Sequence, residues 1–327
     1  MKRDLPVVHP PLAVEGLVAD LWPHYDLAPP SRGELIQPGG FNDHYLISTP
    51  EGDYVLRVYR QGWRTADDVA YELAVLAHLE GCGVPVCAPI IRRDGAYHCA
   101  IPASGGPRLA ALFLCARGQK PDATDREVIR ACGRVMAMIH RHTDDFTCEY
   151  RRFHLDLEHL LDQPRETILP YLVHRPPDAA FVEVVASELH AGLAAQVERL
   201  DWGYCHGDFH GGNARVNADG TLRVFDFDCD GLGWRAYDLS VCRLYCGDDA
   251  RWEVFCRGYQ EVRSLPEATR AAVPWFVVAR QIWRMALFAE HWPLMSGGSP
   301  VDDGFLDQHL GILRERMSRY LPELAVG

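Results

Sequence analysis

The run His206-Gly207-Asp208-Phe209-His210-Gly211-Gly212-Asn213 holds the residues best suited to chemistry. Asp208 and Asn213 stand five positions apart. A carboxylate can take the proton that leaves an attacking hydroxyl. An amide oxygen close by can hold a hard metal ion, which neutralises a transferring phosphoryl group. Gly207, Gly211 and Gly212 let the loop fold tightly enough to aim both side chains at one place. Further on, Leu222-Arg223-Val224-Phe225-Asp226-Phe227-Asp228 reads as an apolar strand ending in carboxylates. Asn213 and Asp226, completed by phosphates and water, are a sufficient ligand set for magnesium. Asp228 falls at the alternate strand position, as a spare carboxylate behind Asp226.

Other readings compete. His206 and His210 have the H-x-x-x-H spacing that binds zinc on a helix. The three glycines argue against a helix there, and zinc would leave Asn213 and Asp226 unexplained. His210 either faces an acceptor or packs within the loop, and the pattern does not decide. His140 and His142 close a helix, where cationic side chains favour the dipole. Trp202, Trp234, Trp252, Trp275, Trp283 and Trp292 read mainly as core rather than as an aromatic box.

These groups need elements to position them. Tyr54-Val55-Leu56-Arg57-Val58-Tyr59 is a strand after a Glu51-Gly52-Asp53 turn, which makes a hairpin with the apolar stretch before it. Thr65 and Asp68 form a capping box, followed by Val69, Leu73, Leu76 and Leu79 at helical spacing and by Gly81. Residues 96–101 and 109–115 are two strands around Ser104-Gly105-Gly106-Pro107. Thr124 with Glu127 predicts a second capping box, opening a helix that runs to His140. From Leu155 to Leu200 the pattern is helical, broken near Pro176-Pro177. A short β-rich patch covers 213–227, and the remainder is helical.

The chain has 327 residues, 48% hydrophobic and 24% charged, with a formal net charge of -12. That is ordinary globular composition. The acidity argues against nucleic acid and anionic membrane surfaces as partners. It does not by itself demand a cationic substrate. No apolar run follows Met1-Lys2-Arg3, so no secretory leader is expected, and no stretch is apolar enough to span a bilayer. The 11 cysteines form no Cys-x-x-Cys pair and read as reduced, buried thiols of a cytoplasmic protein. Cys242 and Cys246, one helical turn apart, belong to that reading.

Taken together, His206 to Asn213, then Val224 to Asp228, then Tyr237-Asp238-Leu239-Ser240, resemble the aminoglycoside phosphotransferase and choline kinase superfamily. The order Arg57, Trp63, Thr65, Glu72, Val84-Pro85-Val86 is most similar to its homoserine-kinase and bacterial stress-kinase branch. The resemblance implies an α+β, bilobal, protein-kinase-like fold. Residues 1–117 would form a small antiparallel-sheet lobe with one helix, and 118–327 a larger, mostly helical lobe. ATP and Mg2+ would be the cofactors and a hydroxyl-bearing compound the acceptor. Asp208 would be the base, with Asn213 and Asp226 on the metal. His206 and Asp238 would support the loop. Phe41-Asn42-Asp43-His44-Tyr45, after Gly39-Gly40, resembles the cover over the nucleotide phosphates, with Asn42 among its contacts.

One position departs from the family pattern. Arg57 stands where a phosphate-anchoring Lys is usual, and its planar fork can grip two phosphate oxygens at once. Glu72 is its natural partner, although a solvated Glu would also fit that edge of the helix. Val55 shares a strand face with Arg57 and would cover the adenine. The backbone from Leu114 to Ala116 would meet the adenine edge. An acceptor would be read by the helical insertion at 153–200. Homoserine-like compounds, amino alcohols, sugars and aminoglycosides all fit. A protein Ser/Thr kinase and a nucleotide-sensing pseudokinase are the rivals; the pseudokinase would normally have lost Asp208, Asn213 or Asp226.

Overall fold

The computed structural model describes residues 11–37, 40–295 and 299–324. Gly39 and the opening residues behind the leader argument lie outside that set. The chain forms two compact units that interleave in sequence. The first comprises Met1–Lys120, Asp145–Arg152 and Ala214–Asp228, and the second the rest.

The first unit begins with helix α1 (Val14–Leu21) and strands β1 (Arg32–Gln37), β2 (Asn42–Thr49) and β3 (Gly52–Tyr59). Helix α2 (Ala66–Gly81) and strands β4 (His98–Ile101) and β5 (Arg108–Leu114) follow. The sheet is antiparallel in the order β1-β2-β3-β5-β4. The β2–β3 hairpin turns at Pro50-Glu51, slightly earlier than its sequence suggested, because Gly52 and Asp53 already pair in β3. Thr49 Oγ1 accepts from the amides of Glu51 and Gly52 at 3.1 and 3.2 Å, which satisfies the turn. Tyr45, Ile47, Leu56, Val58 and Leu112 bury one sheet face against Leu17, Leu21 and Trp22. A two-stranded hairpin, Ala214–Val216 with Leu222–Val224, is joined to this unit through Val86 and Gln119.

Helix α2 starts with the reciprocal capping box of Thr65 and Asp68. Val69, Leu73, Leu76 and Leu79 are all buried, and Glu72 is buried among them with 0% exposure. The apolar stripe therefore includes one carboxylate, and the solvated alternative for Glu72 fails.

The second unit contains α3 (Arg126–His142), α4 (Gln163–Ile168), α5 (Pro176–Ala194), α6 (Arg235–Cys246), α7 (Asp249–Gln260), α8 (Glu267–Met295) and α9 (Asp303–Tyr320). A turn of π-helix, Glu158–Asp162, precedes α4. A small sheet places Gly231–Trp234 between His154–Leu155 and Trp202–Cys205. The α3 start differs from its sequence reading. Asp125 caps it, accepting from Glu127 and Val128 at 2.8 and 3.4 Å, while Thr124 bonds Asp122. A charged carboxylate is the stronger acceptor for exposed helix amides, so the cap moves one residue. Among the tryptophans Trp234, Trp252 and Trp283 are buried, whereas Trp202 is exposed. All eleven cysteines are free thiols. No helix among the described residues is long and apolar enough to cross a membrane.

Candidate active site

In the second unit the strand Trp202–Cys205 delivers the chain into the loop at His206. Gly207 turns it with a φ of +79°. A Cβ there would lie 2.1 Å from the carbonyl oxygen of Cys229, so only glycine fits. The loop backbone hangs on Asp238, in the first turn of α6 and fully buried. The His206 amide donates to Asp238 Oδ2 at 2.7 Å and the Gly207 amide to Oδ1 at 2.8 Å. Burial works against this carboxylate's charge, but the bonds from His140 and the loop hold its pKa below the ordinary value.

His140 overturns its sequence reading. It is not a solvated cation at a helix end but a fully buried ring. Its Nε2 lies 3.0 Å from Asp238 Oδ2 and its Nδ1 2.9 Å from the Tyr259 hydroxyl. Burial lowers its pKa. A neutral ring that donates from Nε2 and accepts at Nδ1 satisfies both partners. Sequence periodicity could not show that α3 packs His140 between α6 and α7.

Asp208 lies two residues beyond this anchor. Asn213 Nδ2 donates to its carbonyl at 3.0 Å and to Oδ2 at 3.2 Å. His210 Nε2 lies 3.5 Å from the same Oδ2, and His210 Nδ1 accepts from the Gly212 amide at 2.9 Å. The His206 ring accepts from the Asp208 amide at 3.2 Å. Both histidines thus serve the loop, which disposes of the H-x-x-x-H zinc reading.

The partner that sequence reasoning missed is Arg280 on α8. Its Nη2 pairs with Asp208 Oδ1, and its Nη1 donates to the Gly207 carbonyl at 2.8 Å and to the Tyr237 hydroxyl at 2.7 Å. Burial alone would raise the Asp208 pKa. Arg280 first, then His210 and His206, bring it down to about 2. The available signal was the presence of Arg280 and Arg284 inside the otherwise mostly apolar run from Trp275 to Met285.

The first unit holds the other predicted residues. Arg57 on β3 is buried, with Nη1 2.7 Å from Glu72 Oε1, Nη2 3.2 Å from Asp226 Oδ1 and Nε 3.2 Å from His44 Nε2. The Tyr59 hydroxyl donates to Glu72 Oε2 at 3.0 Å. Burial opposes the Arg57 charge, but Glu72 above all lifts its pKa well beyond the usual value. Burial and the Arg57 charge push His44 down to about 3, so its ring accepts as a neutral group. Asp226 has a φ of 66°, the only left-handed non-glycine backbone among the described residues, and its side chain is 37% exposed. Such a conformation costs about 1–2 kcal/mol for an L-residue, least for Asn and Asp. It is an observed strain at a carboxylate that a hard cation could use.

Asp228 is held differently. Its carboxylate accepts from Trp63 Nε1 at 2.5 Å, Asn42 Nδ2 at 2.9 Å and Arg64 Nε at 3.0 Å. Its carbonyl accepts from Arg64 and Arg152, each at 2.6 Å. Burial pushes its pKa up, yet Arg64, Arg57 and Arg152 bring it to about 2. Asn42 is committed to this lock, its Oδ1 also accepting from the Arg60 amide at 3.4 Å. Val55 lies opposite Phe113 on β5. The Leu114 amide donates to Ala88 at 2.9 Å and the Cys115 amide to Asp53 at 3.2 Å, while Ala116 follows beyond the strand end.

Comparison with known proteins identifies the family and the fold. The family described as APH, phosphotransferase enzyme family, matches residues 33–275. An uncharacterized protein of Deinococcus radiodurans is 39% identical over 88% of this chain and 85% of its own length. A homoserine kinase of Paraburkholderia xenovorans is 29% identical over 93% of this chain and 94% of its own. Among solved structures, a microcompartment-associated aminopropanol kinase has a TM-score of 0.76 at 25% identity, covering 96% of this chain and 99% of that one. An amicoumacin kinase bound to AMP-PNP and Ca2+ has a TM-score of 0.70 at 19% identity, covering 93% of each chain. With its antiparallel five-stranded sheet and helical remainder, the chain has the protein-kinase-like fold and belongs to the phosphotransferase enzyme family.

Proposed function

We propose that this protein transfers the γ-phosphoryl group of ATP to a hydroxyl of a small-molecule acceptor. The observation that carries the reading is the Asp208 carboxylate. Arg280, Asn213 and His210 hold it from three sides, and its side chain remains 28% exposed. It stays ionised at any physiological pH. A carboxylate this weakly basic orients the hydroxyl and takes its proton late, which suits a loose phosphoryl transition state. Arg57, braced by Glu72, turns from Asp226 to the phosphates. Asn213 and Asp226 offer the hard oxygen donors that Mg2+ prefers. When bound, Mg2+ offsets the charge on the phosphates.

Adenine lies over Val55, against the backbone from Leu114 to Ala116. With the Leu114 and Cys115 amides already committed, Ala116 supplies the donor. Asn42 contributes through the locked Asp228 rather than by direct contact. The reaction belongs to the cytoplasm, where free thiols stay reduced. Homoserine kinase and aminopropanol kinase among the similar proteins favour a small acceptor over a protein.

The test is labelled-phosphate transfer from ATP to alcohols, amino acids, aminoglycosides and a generic protein substrate. Asp208→Asn should cost about 10²–10⁴-fold in kcat. Equal turnover by wild type and variant would sink the assignment. Nucleotide binding without turnover on any acceptor would favour a sensing module.

A further inference from the structure

Arg280 is followed one helical turn later on α8 by Arg284, and α9 packs on α8 carrying Arg316 and His309. Buried arginines elsewhere are neutralised. Arg57 and Arg108 each meet a carboxylate at 2.7 Å, and Arg235 meets one at 2.6 Å. Arg280 has Asp208. Among the described residues, Arg284 and Arg316 have no such carboxylate, although both are partly buried. The Arg316 Nη1 atom is fully buried with no hydrogen-bond partner. The Arg284 guanidinium has the Phe288 ring, 5.4 Å from its centroid. His309 adds no further positive charge, since burial and both arginines push its pKa down to about 4. Burial, then Arg284 and Arg280, lowers Arg316 to about 10. The three guanidiniums therefore feel one another; Asp208 is paired with Arg280, and Glu315 offsets part of the Arg316 charge.

A partly buried cluster of positive charge with too few counter-charges is costly unless something negative completes it. A folded chain that retains one beside its reactive carboxylate has the form of a binding site awaiting an anion. We propose that Arg284 and Arg316 bind an anionic group, carboxylate or phosphate, at the far end of the phosphoryl acceptor. This rests on the reading of Asp208 as the group that receives the acceptor hydroxyl. Arg280 occupies one turn of α8 at Asp208 and Arg284 the next. The hydroxyl and the anion of the acceptor should then lie about one helical pitch apart, ~5 Å. Short hydroxy acids and phosphorylated alcohols meet that requirement. Polycationic aminoglycosides do not, because they would add charge to a site that already has an excess.

The experiment compares kcat/KM for matched acceptors with wild type, Arg284→Gln, Arg316→Gln and Arg316→Lys. L-Homoserine and its carboxamide form one pair, and glycerol 3-phosphate and glycerol another; kanamycin is the cationic control. Wild type should prefer the anionic member of at least one pair by tenfold or more, and which pair responds separates carboxylate from phosphate. Each Gln variant should reduce that preference at least tenfold, chiefly through KM, and Arg316→Lys should recover part of it. Calorimetric titration of nucleotide-loaded protein with the same anionic acceptors provides a second readout that needs no turnover. Absence of anion preference in wild type, its persistence in both Gln variants, or no binding by calorimetry overturns the proposal. Transfer that favours neutral or cationic acceptors over their anionic counterparts, and that Asp208→Asn abolishes, would overturn the anion site and leave the Asp208 reading intact. Transfer that survives Asp208→Asn would overturn that reading instead.

Discussion

Replacing Arg280 by Met tests whether this side chain keeps Asp208 ionised. Asp208 titrates at about 2 instead of 3.8. At ~1.36 kcal/mol per unit, that net lowering is worth about 2 kcal/mol of stability at neutral pH. Arg280 is the largest of the influences that lower it, with His210 and His206 adding to it, while burial moves the group the other way. The sign follows from linkage. A carboxylate with a depressed folded pKa stabilises the native state above its unfolded value of 3.8, and the effect fades as pH falls toward 2. In Arg280→Met the buried carboxylate loses its leading cation, so its pKa rises and the stabilisation it contributes at pH 7 shrinks.

Urea unfolding of wild type, Arg280→Met, Asp208→Asn and the double variant measures the coupling directly. We expect at least ~2 kcal/mol at pH 7, with Arg280→Met alone costing about 3–5 kcal/mol as a broken buried pair. The coupling should shrink steadily as pH falls below 4. Additive single effects, or a coupling that ignores pH, would refute the account of how Asp208 is held.

Two further outcomes follow from the geometry. Gly207→Ala forces a Cβ against the Cys229 carbonyl at a φ of +79°. It should abolish most turnover while ATP affinity, read by calorimetry, changes less than threefold. Glu72→Gln removes the charge that braces Arg57. It should raise the KM for ATP at least tenfold and lower the thermal midpoint, because the loss of one member of a buried pair costs about 3–5 kcal/mol; an unchanged KM would detach Arg57 from nucleotide binding.

What the sequence disclosed was local. Thr65 and Asp68 are neighbours on the chain, so the start of α2 could be read from spacing, and so could its buried stripe. Asp208 and Asn213 were paired by the same kind of short-range arithmetic, and they do share a hydrogen bond. The cap of α3 was misplaced by one residue because Thr124 and Asp125 both carry capping chemistry, and Asp122 drew Thr124 away. Long-range partners left no such trace. Arg280 reaches Asp208 from a helix 72 positions later, and no periodicity relates the two. His140 looked like a surface cation because sequence does not show which helix end becomes interior. Glu72 was ambiguous for the opposite reason, since a carboxylate at the edge of an apolar stripe is usually wet.

The contact between Arg57 and Asp226 has a thermodynamic consequence. Glu72 is the nearer counter-ion of Arg57, and Asp226 shares the same guanidinium at 3.2 Å. An incoming polyphosphate competes with Asp226 for the guanidinium, and an incoming divalent cation competes with Arg57 for the carboxylate. Either ligand alone would break the Arg57–Asp226 contact without replacing both halves of it; both together would exchange it for two new pairs. Their affinities should therefore be synergistic, each raising the other by the same factor. If nucleotide and metal bind here as proposed, such a protein would discriminate against free nucleotide and free metal in favour of their complex, using a single ion pair as an AND gate.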